Sequence, residues 1–127
     1  MNKDKGTRAE RELFHKFWDA GYGVVRVAGS GSVPLPSCDL LVSSKGRLFV
    51  LECKHTQKSI KYFSQKEIDD LRTIASRFCA EPFIAIKFHY KGWYFFSLDK
   101  LGRTKQNYSI PLSCLEEGIP FACFPLE

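Results

Sequence analysis

Arg47-Leu48-Phe49-Val50-Leu51-Glu52-Cys53-Lys54 is the stretch on which the fold turns, an apolar run that closes on a carboxylate and a lysine. Upstream of it, Cys38-Asp39-Leu40-Leu41-Val42 is a second apolar run, and Ser43-Ser44-Lys45-Gly46 between the two has the composition of a turn. Apolar runs of this length bounded by Ser, Lys and Gly predict two strands joined as a hairpin. Asp39 and Glu52 are thirteen residues apart, room for one strand, a tight turn and the return strand, so the hairpin allows the two carboxylates to meet. The two-residue period of a strand puts Val50, Glu52 and Lys54 on one face and Phe49, Leu51 and Cys53 on the other. Glu52 and Lys54 therefore point the same way.

Working outward, Thr7 to Ala20 reads as a helix. Ala9, Leu13 and Phe17 recur every four residues, Phe14 and Trp18 flank them, and Gly21 supplies the stop. Gly23 to Ala28 reads as a strand, and the glycines and prolines of Gly29 to Ser37 make the next segment a loop. A second helix is predicted from near Ser64, where Ser64 and Glu67 have capping-box spacing; Ile68, Leu71, Ile74, Ala75 and Phe78 form its apolar stripe, and Pro82 marks the break. Phe83 to Phe88 and Trp93 to Phe96 are strands around the turn His89 to Gly92. From Leu98 the pattern is less regular, with a short helix at Ser113 to Glu117. The apolar segment from Ile119 to Leu126 either covers the core or packs against a second copy of the chain.

A chain of 127 residues fits a single domain that buries its own core, and 44% hydrophobic with 26% charged residues is ordinary globular composition. No apolar stretch approaches the roughly 20 residues needed to span a bilayer, and nothing at Met1 to Lys5 resembles a signal peptide. The expected location is the cytoplasm, with no membrane partner. Cys38, Cys53, Cys79, Cys114 and Cys123 form no CxxC pair and read as small buried hydrophobes. His15, His55 and His89 share no ligand spacing. The net charge of +5 suits a polyanionic partner without proving one.

Hydrolysing a phosphodiester requires charge neutralisation at phosphorus and a hydroxide made from water, and bound Mg²⁺ supplies both. Such a cation keeps several waters and needs few protein oxygens, which Asp39, Glu52 and the backbone carbonyl of Cys53 can offer. Lys54 then positions or polarises the attacking water. The bland alternative is a surface pair of Glu52 and Lys54 worth little energetically. Glu10 has two open readings, a third carboxylate reaching the sheet or the last member of a Thr7-Arg8-Ala9-Glu10 capping box. Arg11 and Arg26 can hold phosphates, and Ser30 or Ser32 can donate to a strand. Lys58, Lys61, Gln65 and Lys66 gather near the start of the second helix, whose N-terminus adds to their attraction for phosphate. Tyr62 and Phe63 between them are candidates for base stacking or, for Phe63 above all, for the core.

Lys5-Gly6, Ala9 to Leu13, Gly21-Tyr22, Val24-Val25-Arg26, Gly29-Ser30-Gly31, Cys38 to Leu41 and Glu52-Cys53-Lys54, in this order and spacing, resemble the archaeal Holliday-junction resolvases. The likeness covers about residues 5–97, including Gly92-Trp93, and leaves the tail from 98 to 127 uncompared. It implies an α/β, restriction-endonuclease-like fold, a central mixed sheet of about five strands flanked by helices in a single domain. It implies a homodimer and Mg²⁺-dependent cutting of four-way DNA junctions, with no nucleotide cofactor. Glu10, Asp39, Glu52 and Lys54 fall on the family's catalytic positions, and Arg11, Arg26 and the loop serine, Ser30 or Ser32, on further functional ones. Cys38 stands where the wider nuclease superfamily commonly has proline.

The reading is thus a structure-selective endonuclease that resolves four-way junctions by paired symmetric cuts in recombination and repair. Mn²⁺ is expected to substitute for Mg²⁺, recombination or replication proteins are candidate partners, and the nucleoid is the expected place of action. A related nuclease acting on duplex, nicked or single-stranded DNA, and a non-catalytic DNA-binding module, are the rival readings.

Overall fold

The computed structural model describes residues 3–27 and 34–125. Helix α1 (Lys3–Asp19) buries Ala9, Leu13 and Phe17 in its four-residue stripe. It is followed by Gly21 at φ +92°, a left-handed position that suits glycine. It starts ahead of the predicted Thr7, so Thr7 is an interior residue and the proposed Thr7 to Glu10 capping box does not form. Strand β1 (Gly23–Arg26) pairs antiparallel with β2 (Leu40–Ser44), which pairs antiparallel with β3 (Arg47–Thr56). The hairpin is tighter than the sequence suggested. Ser43 and Ser44 pair with Leu48 and Arg47, leaving only Lys45 and Gly46, both at positive φ, to make a two-residue turn.

After β3 the chain forms β4 (Ile60–Ser64), a strand the sequence reading did not separate from the basic cluster around it. Its pattern is short and mixed with lysine, and its partner lies far along the chain. Helix α2 (Gln65–Arg77) begins at the predicted cap, with Ser64 and Glu67 bonded reciprocally, and buries Ile68, Leu71 and Ala75. Strand β5 (Glu81–Phe88) then lies parallel to β3, an arrangement that requires a long crossover of the kind α2 provides. α2 ends ahead of Pro82 as expected, but Pro82 itself, read as lying before the next strand, sits inside β5. It precedes Phe83, the first residue of β5 to pair with β6, so β3 alone flanks it and no ladder bond on the other side is lost. Arg47 grips Glu81 through Nε and Nη2 at 2.9 and 2.8 Å, fastening the starts of β3 and β5.

Strand β6 (Gly92–Ser97) completes the predicted second hairpin, and β7 (Gly102–Arg103), β8 (Asn107–Pro111) and β9 (Ile119–Pro120) come from the less regular C-terminal part. The main sheet runs β1-β2-β3-β5-β6-β9, six strands rather than about five, the extra one being the two-residue β9. A small sheet of order β4-β8-β7 stands apart from it. One core cluster gathers α1 residues with Phe49 and Leu51; the other gathers α2 with Val50, Phe63 and Ile110. The opposite fates of Val50 and Leu51 confirm the predicted strand parity.

The tail resolves one of its two alternatives within this chain. Phe124 is 5% exposed, stacks on Phe95 at 4.3 Å, and meets Phe17, Phe49 and Phe83. Its carbonyl accepts from the Tyr22 hydroxyl. Leu112–Glu117 is a 3-10 segment overlapping the predicted short helix. Since Phe124 closes a cluster of four aromatic rings, Phe124→Ala is expected to cost about 3 kcal/mol or more, measured by urea denaturation.

Candidate active site

Asp39 sits immediately before β2, where its position is fixed from three directions. Its N–H donates to the Leu51 carbonyl at 2.9 Å, its carbonyl accepts from Val27 N–H at 3.0 Å, and its Oδ2 accepts from Cys53 N–H at 2.8 Å. The side chain thus reaches across to β3 beside Glu52. The expectation that the hairpin brings the two carboxylates together is met by this register, in which Leu40 faces Leu51.

Glu52 lies beside Lys54, with Oε2 to Nζ at 3.4 Å, as the shared strand face requires. Burial, then the negative charge of Asp39, pushes its carboxyl up to about 7, against the opposing pull of Lys54. Burial also pulls on the Lys54 ammonium, but Glu52 and Glu67 outweigh it and raise the lysine above its ordinary value. Glu67, from α2, places Oε1 3.2 Å from the same ammonium. Sequence reading saw Glu67 only as a capping residue, because local spacing does not reveal that the start of α2 abuts β3.

Glu10 projects from α1 and pairs with Arg26 at the end of β1, Oε2 to Nε 3.0 Å. Burial and then the charge of Asp39 raise its carboxyl, while Arg26 and Arg11 pull it down. Of its two open readings, contact with the sheet is therefore the one the structure adopts. The thiols of Cys38 and Cys53 are both pushed up by burial first, Cys38 to about 11, so neither is a ready nucleophile.

The basic residues divide. Lys61 on β4 lies near Lys54: burial, then the charges of Lys54 and Lys58, lowers it. Lys58 is exposed in the turn after β3, and Arg11 is exposed on α1. Gln65 is turned to Asp69 at 2.9 Å and to the Tyr108 hydroxyl at 3.3 Å, and Lys66 to Asp70 at 2.7 Å, so both are already engaged along α2. Phe63 is buried and Tyr62 is 53% exposed, which leaves Tyr62 as the candidate for stacking. Ser30 and Ser32 lie outside the described residues. A cleft of about 480 Å³ lined by Arg8, Glu12, His55, Lys87 and Tyr90 includes none of Asp39, Glu52 and Lys54.

Among the described residues, no three His, Cys, Asp or Glu side chains converge tightly enough to form a ready-made ion cage. Glu10 is held by Arg26, Asp39 by the Cys53 amide and Glu52 by Lys54. The donor set nevertheless fits a hard divalent cation. It consists of carboxylate oxygens, with Glu52 and Glu10 raised first by burial and then by the charge of Asp39, and a bound cation would offset that cost of ionisation. Among the described residues no helix is long and apolar enough to cross a membrane.

Comparison with known proteins gives a consistent result. A model of the family described as archaeal Holliday junction resolvase (Hjc) matches residues 1–124. The crossover junction endodeoxyribonuclease Hjc of Archaeoglobus fulgidus is 40% identical over 121 residues, spanning 94% of this chain and 88% of that protein. The protein of the same name from Sulfolobus acidocaldarius is 31% identical over 127 residues, spanning 94% and 85%. The 1.6 Å structure of Archaeoglobus fulgidus Hjc, a Holliday junction resolvase, superposes with a TM-score of 0.86 and 36% identity, over 91% of this chain and 94% of that one.

The electrostatic conflict at Glu52 has a measurable consequence. A folded-state pKa above the ordinary carboxylate value of 4.5 means that folding disfavours the charged form, so the stability this group contributes is lost as pH rises from that value to about 7 and stays lost above it. Glu52→Gln is therefore expected to melt higher than the parent at pH 8 in EDTA by at least about 2 °C, measured by differential scanning calorimetry, with the gap closing toward pH 5.

Proposed function

The chain belongs to the archaeal Holliday junction resolvase (Hjc) family and is a crossover junction endodeoxyribonuclease; on that premise we propose that it cuts junctions with Glu10, Asp39, Glu52 and Lys54 around Mg²⁺. The observation that carries this reading is the anchoring of Asp39 across β3 by the Cys53 amide, which sets its carboxylate beside Glu52 and Lys54 on the opposite strand. The family is a nuclease of the type normally dependent on metal; Mg²⁺, with Mn²⁺ as substitute, follows from the all-oxygen donor set.

Asp39 and Glu52 would hold the cation, with the Cys53 carbonyl and the Glu10 carboxylate, now paired with Arg26, as further oxygens. When bound, the cation neutralises developing charge at phosphorus and lowers the pKa of water. Lys54 orients the attacking water and stabilises charge on the phosphate through its ammonium. Attack in line on phosphorus leaves a 5′-phosphate and a 3′-hydroxyl. Arg11, Arg26, Lys58 and Lys61 offer charge to the backbone, and Gln65 and Lys66 join them only by releasing Asp69 and Asp70. Recognition is of junction shape and phosphate rather than base sequence.

Two matched cuts in a two-fold symmetric junction call for two identical sites, which a C₂ homodimer supplies. Work in recombination and repair, at the nucleoid and beside recombination or replication proteins, follows from that substrate. Ser30 or Ser32 is assigned to the active-site loop on the family likeness alone.

The decisive assay compares cleavage of a synthetic four-way junction with its component duplexes in Mg²⁺. Cutting confined to the junction, at paired positions, is expected; equal rates on both substrates overturn the assignment. Glu52→Ala and Lys54→Ala are each expected to slow single-turnover cutting at least about 100-fold while binding the junction normally in EDTA. Sedimentation equilibrium is expected to return twice the 14.6 kDa chain mass.

A further inference from the structure

The Lys54 ammonium has a second carboxylate neighbour besides Glu52, and that neighbour is also bonded within the cap of α2. Glu67 uses its two oxygens for two tasks. Oε1 lies 3.2 Å from Lys54 Nζ, while Oε2 accepts from the Ser64 backbone N–H at 3.2 Å and from Ser64 Oγ at 3.4 Å. Ser64 Oγ accepts in return from Glu67 N–H at 3.1 Å. The reciprocal cap therefore immobilises the carboxylate before Lys54 arrives, so the ion pair loses little further side-chain freedom.

We propose that Glu67 is a positioning residue for the active-site lysine, a fixed counter-ion that draws the Lys54 ammonium away from Glu52 and leaves the Glu52 oxygens to the cation. The inference rests on the reading of Lys54 as the active-site lysine. The groups that face this ammonium are Glu52 on its own strand, Glu67 on α2, Lys61 on β4 and the Asp39 carboxylate. Without Glu67, Lys61 repels the ammonium from one side and Glu52 is its nearest attractive partner. Lys54 then closes on Glu52 and competes for the oxygens a divalent cation needs. With Glu67 in place, Lys54 keeps a partner when Glu52 is taken by the cation, and Nζ stays over the sheet face where the phosphate approaches.

A purely structural role for Glu67 makes a different demand. A capping box is completed by glutamine as well as by glutamate, whereas holding the ammonium requires the charge. Glu67→Gln therefore separates the two, and Ser64→Ala is the reverse control, losing the Oγ contacts of the cap while keeping both charged groups and the backbone N–H that holds Glu67 Oε2.

The test uses the full chain with a synthetic four-way junction. Glu67→Gln is expected to stay folded at the assay temperature, with only the modest drop in melting temperature that loss of one ion pair brings, and to keep the parental junction affinity in EDTA. Its single-turnover rate at saturating protein should fall about tenfold or more, and its Mn²⁺ affinity, titrated by EPR without DNA, should weaken severalfold. Lys54→Ala combined with Glu67→Gln should be no slower than Lys54→Ala alone, since Glu67 acts through that lysine. Parental cutting by Glu67→Gln overturns the proposal, as do independent losses in the double variant. An equal loss of rate in Ser64→Ala, assayed below its melting temperature, also overturns it by showing that the cap alone matters. If Lys54→Ala itself cuts normally, the assignment of the lysine fails together with this inference; if only Glu67→Gln cuts normally, this inference fails by itself.

Discussion

The hydrogen bond from the Cys53 amide to Asp39 Oδ2, 2.8 Å long, is the constraint on which the site depends. Asp39 immediately precedes its strand, tied by its backbone to Leu51 and Val27, and the bond from the Cys53 amide is what turns its carboxylate over β3. Once it lies there, the hairpin register and the alternation of β3 leave no freedom. Glu52 must stand beside it and Lys54 must stand two residues on, facing the same way. The two-residue turn at Lys45-Gly46 fixes that register from the other end of the hairpin.

The energetic character of the site follows from this crowding. Burial, and after it the charge of Asp39, raises the cost of ionising both Glu52 and Glu10, and the protein answers with a cation beside each, Arg26 for Glu10 and Lys54 for Glu52. The compensation is incomplete, as the raised position of Glu52 shows. A fold optimised for stability alone would not bury acidic groups this way. The strain of that arrangement is borne by the aromatic core on one side of the sheet and by α2 on the other.

Much of this was legible in the sequence, and the reasons are local. Strand parity from Phe49 to Lys54, the four-residue stripe of α1 and the Ser64 to Glu67 capping box are short-range patterns, and each has its predicted counterpart in the structure. What was not legible depends on distant segments meeting. The pairing of β4 with β8, the intrusion of Phe124 under α1, and the approach of Glu67 to Lys54 have no signature in a window of neighbouring residues. Pro82 misled for a related reason, since its tolerance in β5 depends on where β6 begins to pair. The earlier start of α1 mattered most, because it removed the capping role that competed for Glu10.

The placement of Glu52 and Lys54 on an interior strand, with β2 on one side and β5 on the other, also bears on how such a chain can change over evolutionary time. Inserting or deleting a single residue between Leu51 and Lys54 would exchange the faces of everything beyond it. An acidic or basic group would then enter an aromatic core while an apolar one took the place beside Asp39. Gradual length variation is thus closed to the chemistry-bearing strand. Indels are admissible instead at segments such as the exposed Tyr90 hairpin tip and the link between β7 and β8. Chains built this way vary in length at the rim, while the strand that carries Glu52 and Lys54 can drift only by side-chain exchange.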